Sequence, residues 1–237
     1  MSIYLILPTY NEAENIRLIV PKLLALPLEL NVLVVDDNSP DGTGALADEM
    51  AAGQPERMMV LHRPGKLGLG TAYLAGFRRA LADGASHVLT MDADFSHDPR
   101  YIPDIVERCA TADLVIGSRY VPGGGAVDSP LVRRLISYAA NFLAHVVLGL
   151  KARDVTAGFR LYRSEVLESV PLDSIRSSGY SFLIELLFLI EQRRWRVAEV
   201  PILFCDRKLG HSKISSQEIR KAMATVGRLA VRRVRGG

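Results

Sequence analysis

Cysteine is nearly absent from this chain: Cys109 and Cys205 are the only two, far apart and outside any CxxC or Cys/His cluster. That argues against a disulfide framework and against zinc, and fits a reducing cytoplasm. Long clean apolar runs are absent as well. The longest mostly apolar stretch, Leu135 to Leu150, is interrupted by Ser137, Asn141 and His145. It falls short of the roughly 18–20 apolar residues of a spanning helix, so the chain is not expected to cross a bilayer by itself. The start, Met1-Ser2-Ile3-Tyr4-Leu5, has no positively charged leader and enters strand-like sequence at once, so no signal peptide is expected. No large charge excess exists either. A net charge of +3 argues against wholesale nucleic-acid binding. With no internal repeat or low-complexity linker, the 237 residues read as a single domain.

What is present is strand–helix alternation. Ile3–Leu7, Val32–Val35, Met58–Leu61, Val88–Met91 and Leu114–Ile116 read as buried parallel strands. Glu12–Leu26, Thr43–Ala52, Gly70–Ala82 and Pro99–Cys109 carry helical spacing between them. This pattern predicts an α/β fold with a doubly wound, mostly parallel sheet. Gly123-Gly124-Gly125 then breaks the alternation and reads as a mobile loop. In the second half, Leu131–Leu150 and Tyr180–Arg193 read as helices and Val197–Phe204 as a further strand. From Gln217 onward, apolar residues recur at helical spacing while Lys221, Arg228, Arg232 and Arg235 take another face. Such a basic amphipathic helix either lies in a membrane interface or docks on its own domain.

Five segments bear on the chemistry. Asp92-Ala93-Asp94 ends the apolar run Val88–Met91, and strand ends are where open α/β sheets bind ligands. Two carboxylates there suit Mg²⁺ or Mn²⁺, which complete their shells with water and substrate phosphate. Leu7-Pro8-Thr9-Tyr10-Asn11-Glu12 follows the first strand. Asn11 can cap the next helix, Tyr10 can stack on a base, and Glu12 can accept a hydrogen bond from a base or ribose. In Val35-Asp36-Asp37-Asn38-Ser39-Pro40-Asp41-Gly42, paired aspartates again sit at a strand end, either as turn residues or to hold a base or ribose. Gly65-Lys66-Leu67-Gly68-Leu69-Gly70-Thr71 matches neither a Walker A loop nor GxGxxG, which leaves a flexible turn with Lys66 able to approach a ligand. Arg207, Ser212 and Lys213 around Gly210 suit a loop that closes on a diphosphate. His97 and His211 receive no role.

Taken together, LPTYNEAENI, VVDDNSPDGT, GKLGLGTAY, MDADFSHDP, GSRY, TAGFRLYR and RKLGHSKIS resemble glycosyltransferase family two, in the dolichol- or polyprenol-phosphate mannosyltransferase branch. The resemblance spans residues 3 to about 216. It implies a GT-A catalytic domain over residues 1–216, with an acceptor or interface helix at about 131–150 and a basic amphipathic helix over 217–237. It further implies inverting transfer of mannose from GDP-mannose to a polyprenyl phosphate. Pro8, Tyr10, Glu12, Val35 and Asp37 are then expected around the guanosine. Asp92 and Asp94, with Ala93 between them, would hold Mg²⁺ or Mn²⁺. Arg119, Arg207 and Lys213 would meet the phosphates and sugar, and Arg119 with Arg133 the acceptor phosphate. Asp92, Asp94 and Arg207 are the expected catalytic residues. Where some relatives carry a metal-ligating Gln two positions after the DxD, this chain has Ser96, a shorter group. Without the transmembrane helices of many relatives, peripheral docking on the cytoplasmic face of a membrane is expected, or a separate transmembrane partner. A UDP-glucose-type donor and a non-catalytic nucleotide-binding subunit of a membrane complex are the alternatives.

Overall fold

The computed structural model describes residues 1–127, 131–205 and 216–235. The first half alternates strictly: β1 (Ile3–Thr9), α1 (Ala13–Leu24), β2 (Leu30–Asp36), α2 (Thr43–Ala52), β3 (Met58–His62), α3 (Leu69–Ala82) and β4 (His87–Thr90). A 3-10 turn at Pro99–Tyr101 leads into α4 (Ile102–Arg108), β5 (Leu114–Ser118), β6 (Gly125–Val127) and α5 (Leu131–Leu148). Then follow β7 (Arg160–Arg163), α6 (Ser164–Ser169), α7 (Tyr180–Gln192), β8 (Val197–Pro201), β9 (Leu203–Cys205) and α8 (Ser216–Arg235).

The main sheet has the order β3-β2-β1-β4-β7-β5-β8. Only β7 runs antiparallel. Because β7 opposes both β4 and β5, those two still point the same way, and the six parallel strands all emerge at one edge. The chain winds outward from β1 to β3, then returns to the other side of β1 at β4. That reversal opens a crevice between the ends of β1 and β4, the usual ligand position in such sheets. Side chains of β1 alternate between two cores. Tyr4 and Ile6 join Tyr73, Phe77 and Phe182 on one face, while Leu5 and Leu7 join residues of α1, α2 and α4 on the other. Both faces are covered, which explains why these strands read as unbroken apolar runs. Helix α3 lies close on the sheet because Gly76 has no side chain; a methyl group there would stand 2.7 Å from Ile6 Cγ2.

Three departures from the sequence reading have physical causes. Strand β7 is additional, a short antiparallel insertion whose ends carry Arg160 and Arg163. Val197–Phe204 is two strands rather than one: Ile202 donates its N–H to Ser118 O and accepts from Gly125 N–H, switching the chain from the main sheet to the β6–β9 pair. The triple glycine is a stitched turn, not a loose loop. Gly124 donates to Val121 O, and a Cβ there would lie 2.5 Å from Ser118 O.

Helix α8 docks on the domain. Val226 and Leu229 are buried in the core shared with α7, and Arg228 forks onto the buried Glu185 at 2.9 and 2.8 Å. Arg233 donates to Val147 O near the end of α5. Arg228, a member of the basic face, and Arg233 beside it therefore bond to their own domain while remaining partly exposed. The apolar side of α5 is instead partly turned outward: Leu131, Leu135, Tyr138, Phe142 and Val146 are each more than half exposed. Met223, Val231 and Val234 of α8 are also exposed.

Candidate active site

At the ends of β1 and β2, two turns lock into each other. Asn11 and Asn38 both adopt left-handed backbone (φ 59° and 56°), a region Asn tolerates better than most residues. Asn11 therefore cannot serve as the helix cap expected of it. The cap comes from the neighbouring loop, where Asp41 Oδ2 accepts from Ala13 N–H. Burial pushes the Asp41 carboxyl up, but hydrogen bonds from Thr43 and Ala13 outweigh it and hold the pKa below its ordinary value. The paired aspartates divide their work. Asp36 accepts from Thr9 Oγ1, Ser39 N–H and Ser39 Oγ, and so builds the turn. Asp37 lies 2.7 Å from Arg63 Nη1 in a buried charge contact. Burial raises its pKa, opposed by Arg63 and by a hydrogen bond from the Leu67 backbone. Pro8 and Val35 are cross-strand partners beneath this site. Glu12 accepts from Asn15 Nδ2, and its own N–H bonds Thr43 Oγ1. Lys66 stands over one face of the Tyr10 ring at 4.1 Å, a cation–π contact.

Beyond β4, the DxD loop is held residue by residue. Ala93 turns into the core beside α4, while Asp92 is partly exposed and Asp94 buried. Ser96 donates both its N–H (3.0 Å) and its hydroxyl (2.6 Å) to Asp94 Oδ1. Phe95 takes left-handed backbone (φ 61°), a strained state for an aromatic residue that turns Ser96 back onto Asp94. Ser96 thus fixes the orientation of the Asp94 carboxylate. Tyr73 on α3 donates to Asp92 Oδ1 at 3.3 Å, and Asp92 N–H donates to His97 Nδ1 at 3.1 Å. His97 is buried, and burial lowers its pKa despite the nearby Asp92 and Asp94; as acceptor of the Asp92 N–H, its Nδ1 carries no proton.

From the end of β5, Arg119 reaches the same crevice. Asp154 binds it three times: from its N–H (2.9 Å), Nε (2.8 Å) and Nη2 (2.7 Å). Burial opposes the guanidinium charge, but Asp154 overcomes it and holds the pKa above the ordinary arginine value. Asn141 of α5 accepts from Val155 and Thr156 N–H, and Tyr120 bonds Ser137 of α5. The long helix is therefore tied to the arginine's own support. A cavity of about 460 Å³ runs from Asp92, His97 and Arg119 to an apolar end at Leu131, Leu135 and Met223.

Of the expected site residues, Pro8, Tyr10, Glu12, Val35, Asp37, Asp92, Ala93, Asp94 and Arg119 all lie on or just beyond the ends of β1, β2, β4 and β5. Arg133 lies in the first turn of α5; Arg207 and Lys213 fall outside the described residues. Among the described residues no three His, Cys, Asp or Glu side chains cluster as a ready-made metal cage. Two hard carboxylate ligands at a strand end still fit Mg²⁺ or Mn²⁺, which fill remaining positions from water and phosphate. Sequence reasoning missed Tyr73, Asp154, Asn141 and His97. Tyr73 and Phe77 share helical spacing and look like core, while Asp154 reads as a loop residue until its partner is known.

The description "Glycosyl transferase family 2" belongs to a family model that matches residues 4–170. Polyprenol monophosphomannose synthase of Mycolicibacterium smegmatis is 48% identical over 96% of this chain and 86% of that protein. Undecaprenyl-phosphate mannosyltransferase of Micrococcus luteus is 46% identical over 96% of this chain and 93% of its own length. Among solved structures, glucosyl-3-phosphoglycerate synthase from Mycobacterium tuberculosis, in complex with Mn²⁺, UDP and phosphoglyceric acid, superimposes with a TM-score of 0.69. It is 23% identical, over 97% of this chain and 78% of that one, which shows a shared GT-A fold. The same enzyme has also been crystallised with Mg²⁺ and UDP (TM-score 0.67, 23% identity, 97% of this chain and 79% of that one).

Proposed function

This chain belongs to glycosyl transferase family 2, and from that premise we infer that it is a mannosyltransferase that makes polyprenyl-phosphate mannose. The donor we propose is GDP-mannose, bound across the ends of β1 and β2. Tyr10 offers a stacking face there, with Glu12 and Asp37 as hydrogen-bond acceptors. Asp92 and Asp94 would hold Mg²⁺ or Mn²⁺, which when bound neutralises charge on the leaving diphosphate. Asp92, Asp94 and, by motif, Arg207 are the proposed catalytic residues. Arg119 remains cationic in its Asp154 cradle and faces the donor or acceptor phosphate, with Arg133, Arg207 and Lys213 assigned to phosphates by motif.

An oxygen of the acceptor phosphate forms the new bond to the sugar's anomeric carbon as the bond to the GDP oxygen breaks, and in-line attack inverts that centre. The attacking oxygen is already anionic near neutral pH, so positioning matters more than a general base. The carrying observation is the cavity that joins Asp92 and Arg119 to an apolar end beside the exposed ridge of α5. An acceptor with a charged head and an apolar chain matches both ends. The ridge, with Met223, Val231 and Val234, supports peripheral docking on a membrane, on the cytoplasmic face in our reading, or on a separate transmembrane partner. No helix among the described residues is long and apolar enough to cross a bilayer. On this reading residues 1–216 form the catalytic unit and 217–237 its membrane-side helix.

A labelled-sugar transfer panel with GDP-mannose, UDP-glucose and UDP-N-acetylglucosamine, with and without Mn²⁺ and polyprenyl phosphate, tests the reading. Product is expected from GDP-mannose alone, dependent on both additions, with Asp94→Ala lowering the rate by about 10²–10³ or more. Product from UDP-glucose instead would replace the donor. Transfer by chelator-treated enzyme at the full rate would remove the metal, and no transfer with any donor would favour a non-catalytic subunit.

A further inference from the structure

We propose that Tyr73 and His97 are positioning residues that hold Asp92 in the orientation a divalent cation requires, and that Gly158 is the space in which the three meet. The proposal rests on the reading of Asp92 and Asp94 as metal ligands. Asp92 lies beyond the last ladder position of β4, so the sheet no longer fixes its backbone. His97 takes over by accepting the Asp92 N–H at Nδ1, which leaves the ring proton on Nε2. The ring is itself clamped, near-parallel on Phe159 at 5.1 Å and edge-on to Phe204 at 5.5 Å. Tyr73 fixes a second point, donating its phenol to Asp92 Oδ1.

Gly158 explains how the three fit. A methyl group there would stand 3.1 Å from the Tyr73 hydroxyl, 3.7 Å from Asp92 Oδ1 and 3.7 Å from His97 Cε1. Its backbone is not left-handed, so the glycine serves space and not conformation. Thr90 Oγ1 donates to Gly158 O at 2.6 Å, fixing that space to the end of β4. Outer groups of this kind typically contribute about 10–100-fold to metal affinity or activity.

Tyr73 also packs on Phe77 and Phe182, so the test must separate packing from positioning. Tyr73→Phe keeps the ring and removes only the hydroxyl. Titration of Mn²⁺ into the full chain with GDP present, read by electron paramagnetic resonance of the free ion, should show about tenfold weaker binding. Thermal unfolding should stay within a few degrees of wild type. His97→Asn, which keeps an acceptor near the Nδ1 position, should retain more affinity than His97→Leu. The KM for Mn²⁺ should rise in Tyr73→Phe while kcat at saturating Mn²⁺ largely recovers. Wild-type Mn²⁺ binding in both Tyr73→Phe and His97→Leu would overturn the proposal. Unchanged binding in Asp94→Asn would overturn the metal reading itself, and this proposal with it.

Discussion

The strand edge of the sheet and the helical end of the cavity are built by opposite rules. At the strand edge charge is buried and held: Asp36 by Thr9 and Ser39, Asp37 by Arg63, Asp94 by Ser96, Asp154 by Arg119. At the helical end apolar side chains are exposed, in a ridge from Leu131 to Val146 along α5. The first end is held in place by contacts among its own residues, because electrostatic stabilisation of a leaving group works only if the dipoles are fixed before reaction. The second end leaves apolar area in water, which becomes favourable only against another apolar phase. A lipid-linked acceptor requires both: a rigid site for its phosphate and an unfilled surface for its chain.

Breaking the polar end should have the largest effect. Asp154→Ala strands the Arg119 guanidinium in a buried site without its counter-charge, and should cost about 3–5 kcal/mol in unfolding free energy by urea titration. A loss below about 1 kcal/mol would mean that Arg119 relaxes to solvent, and that this end is less rigid than the comparison requires.

The junction between the ends should respond less. Arg228→Ala leaves Glu185 buried with Ser177 but without its cation, at about 2–3 kcal/mol, less than a fully buried pair because Arg228 is partly exposed. Burial raises the Glu185 pKa, but Arg228 and Ser177 outweigh it and hold it below the ordinary value of 4.5. A depressed carboxyl contributes stability that is present above its unfolded pKa and lost as pH falls through the folded one. Wild type should therefore lose stability more steeply than Arg228→Ala below about pH 4.5. Parallel acid limbs in the two unfolding curves would show that the pair does not link α7 to α8.

At the apolar end the fold itself should hardly notice. Leu135→Ser with Phe142→Ser removes two exposed side chains and should shift unfolding by no more than about 0.5 kcal/mol. Co-sedimentation with anionic vesicles should nevertheless fall about tenfold, with a component that salt does not screen. Undiminished binding would return the membrane contact to the basic residues of α8.

Much of the polar end was legible because strand ends are local events. An apolar run followed by Asp92-Ala93-Asp94, or by Asp36-Asp37, marks both strand and edge. Its support was not legible. Tyr73 lies 19 residues before Asp92, and Asp154 lies 35 after Arg119, so neither pairing has a local signal. Strand β7 was missed for a related reason. Its Arg160 looks like a surface residue, yet it is fully buried because Ala157, Leu183 and Val155 carbonyls receive its guanidinium. Helix α5 was legible as a helix, but not the direction in which its apolar side faces.

By itself, then, the sequence determined the strand–helix alternation of the first half, the positions of the strand-end carboxylates and the family resemblance they carry, because periodicity and turn chemistry act over a few residues. Only the tertiary structure decided that Asp36 builds a turn while Asp37 pairs with Arg63, what Arg119 leans on, and that the apolar ridge of α5 faces outward. Those outcomes depend on partners brought together by sheet order and helix packing, and burial makes each pairing matter.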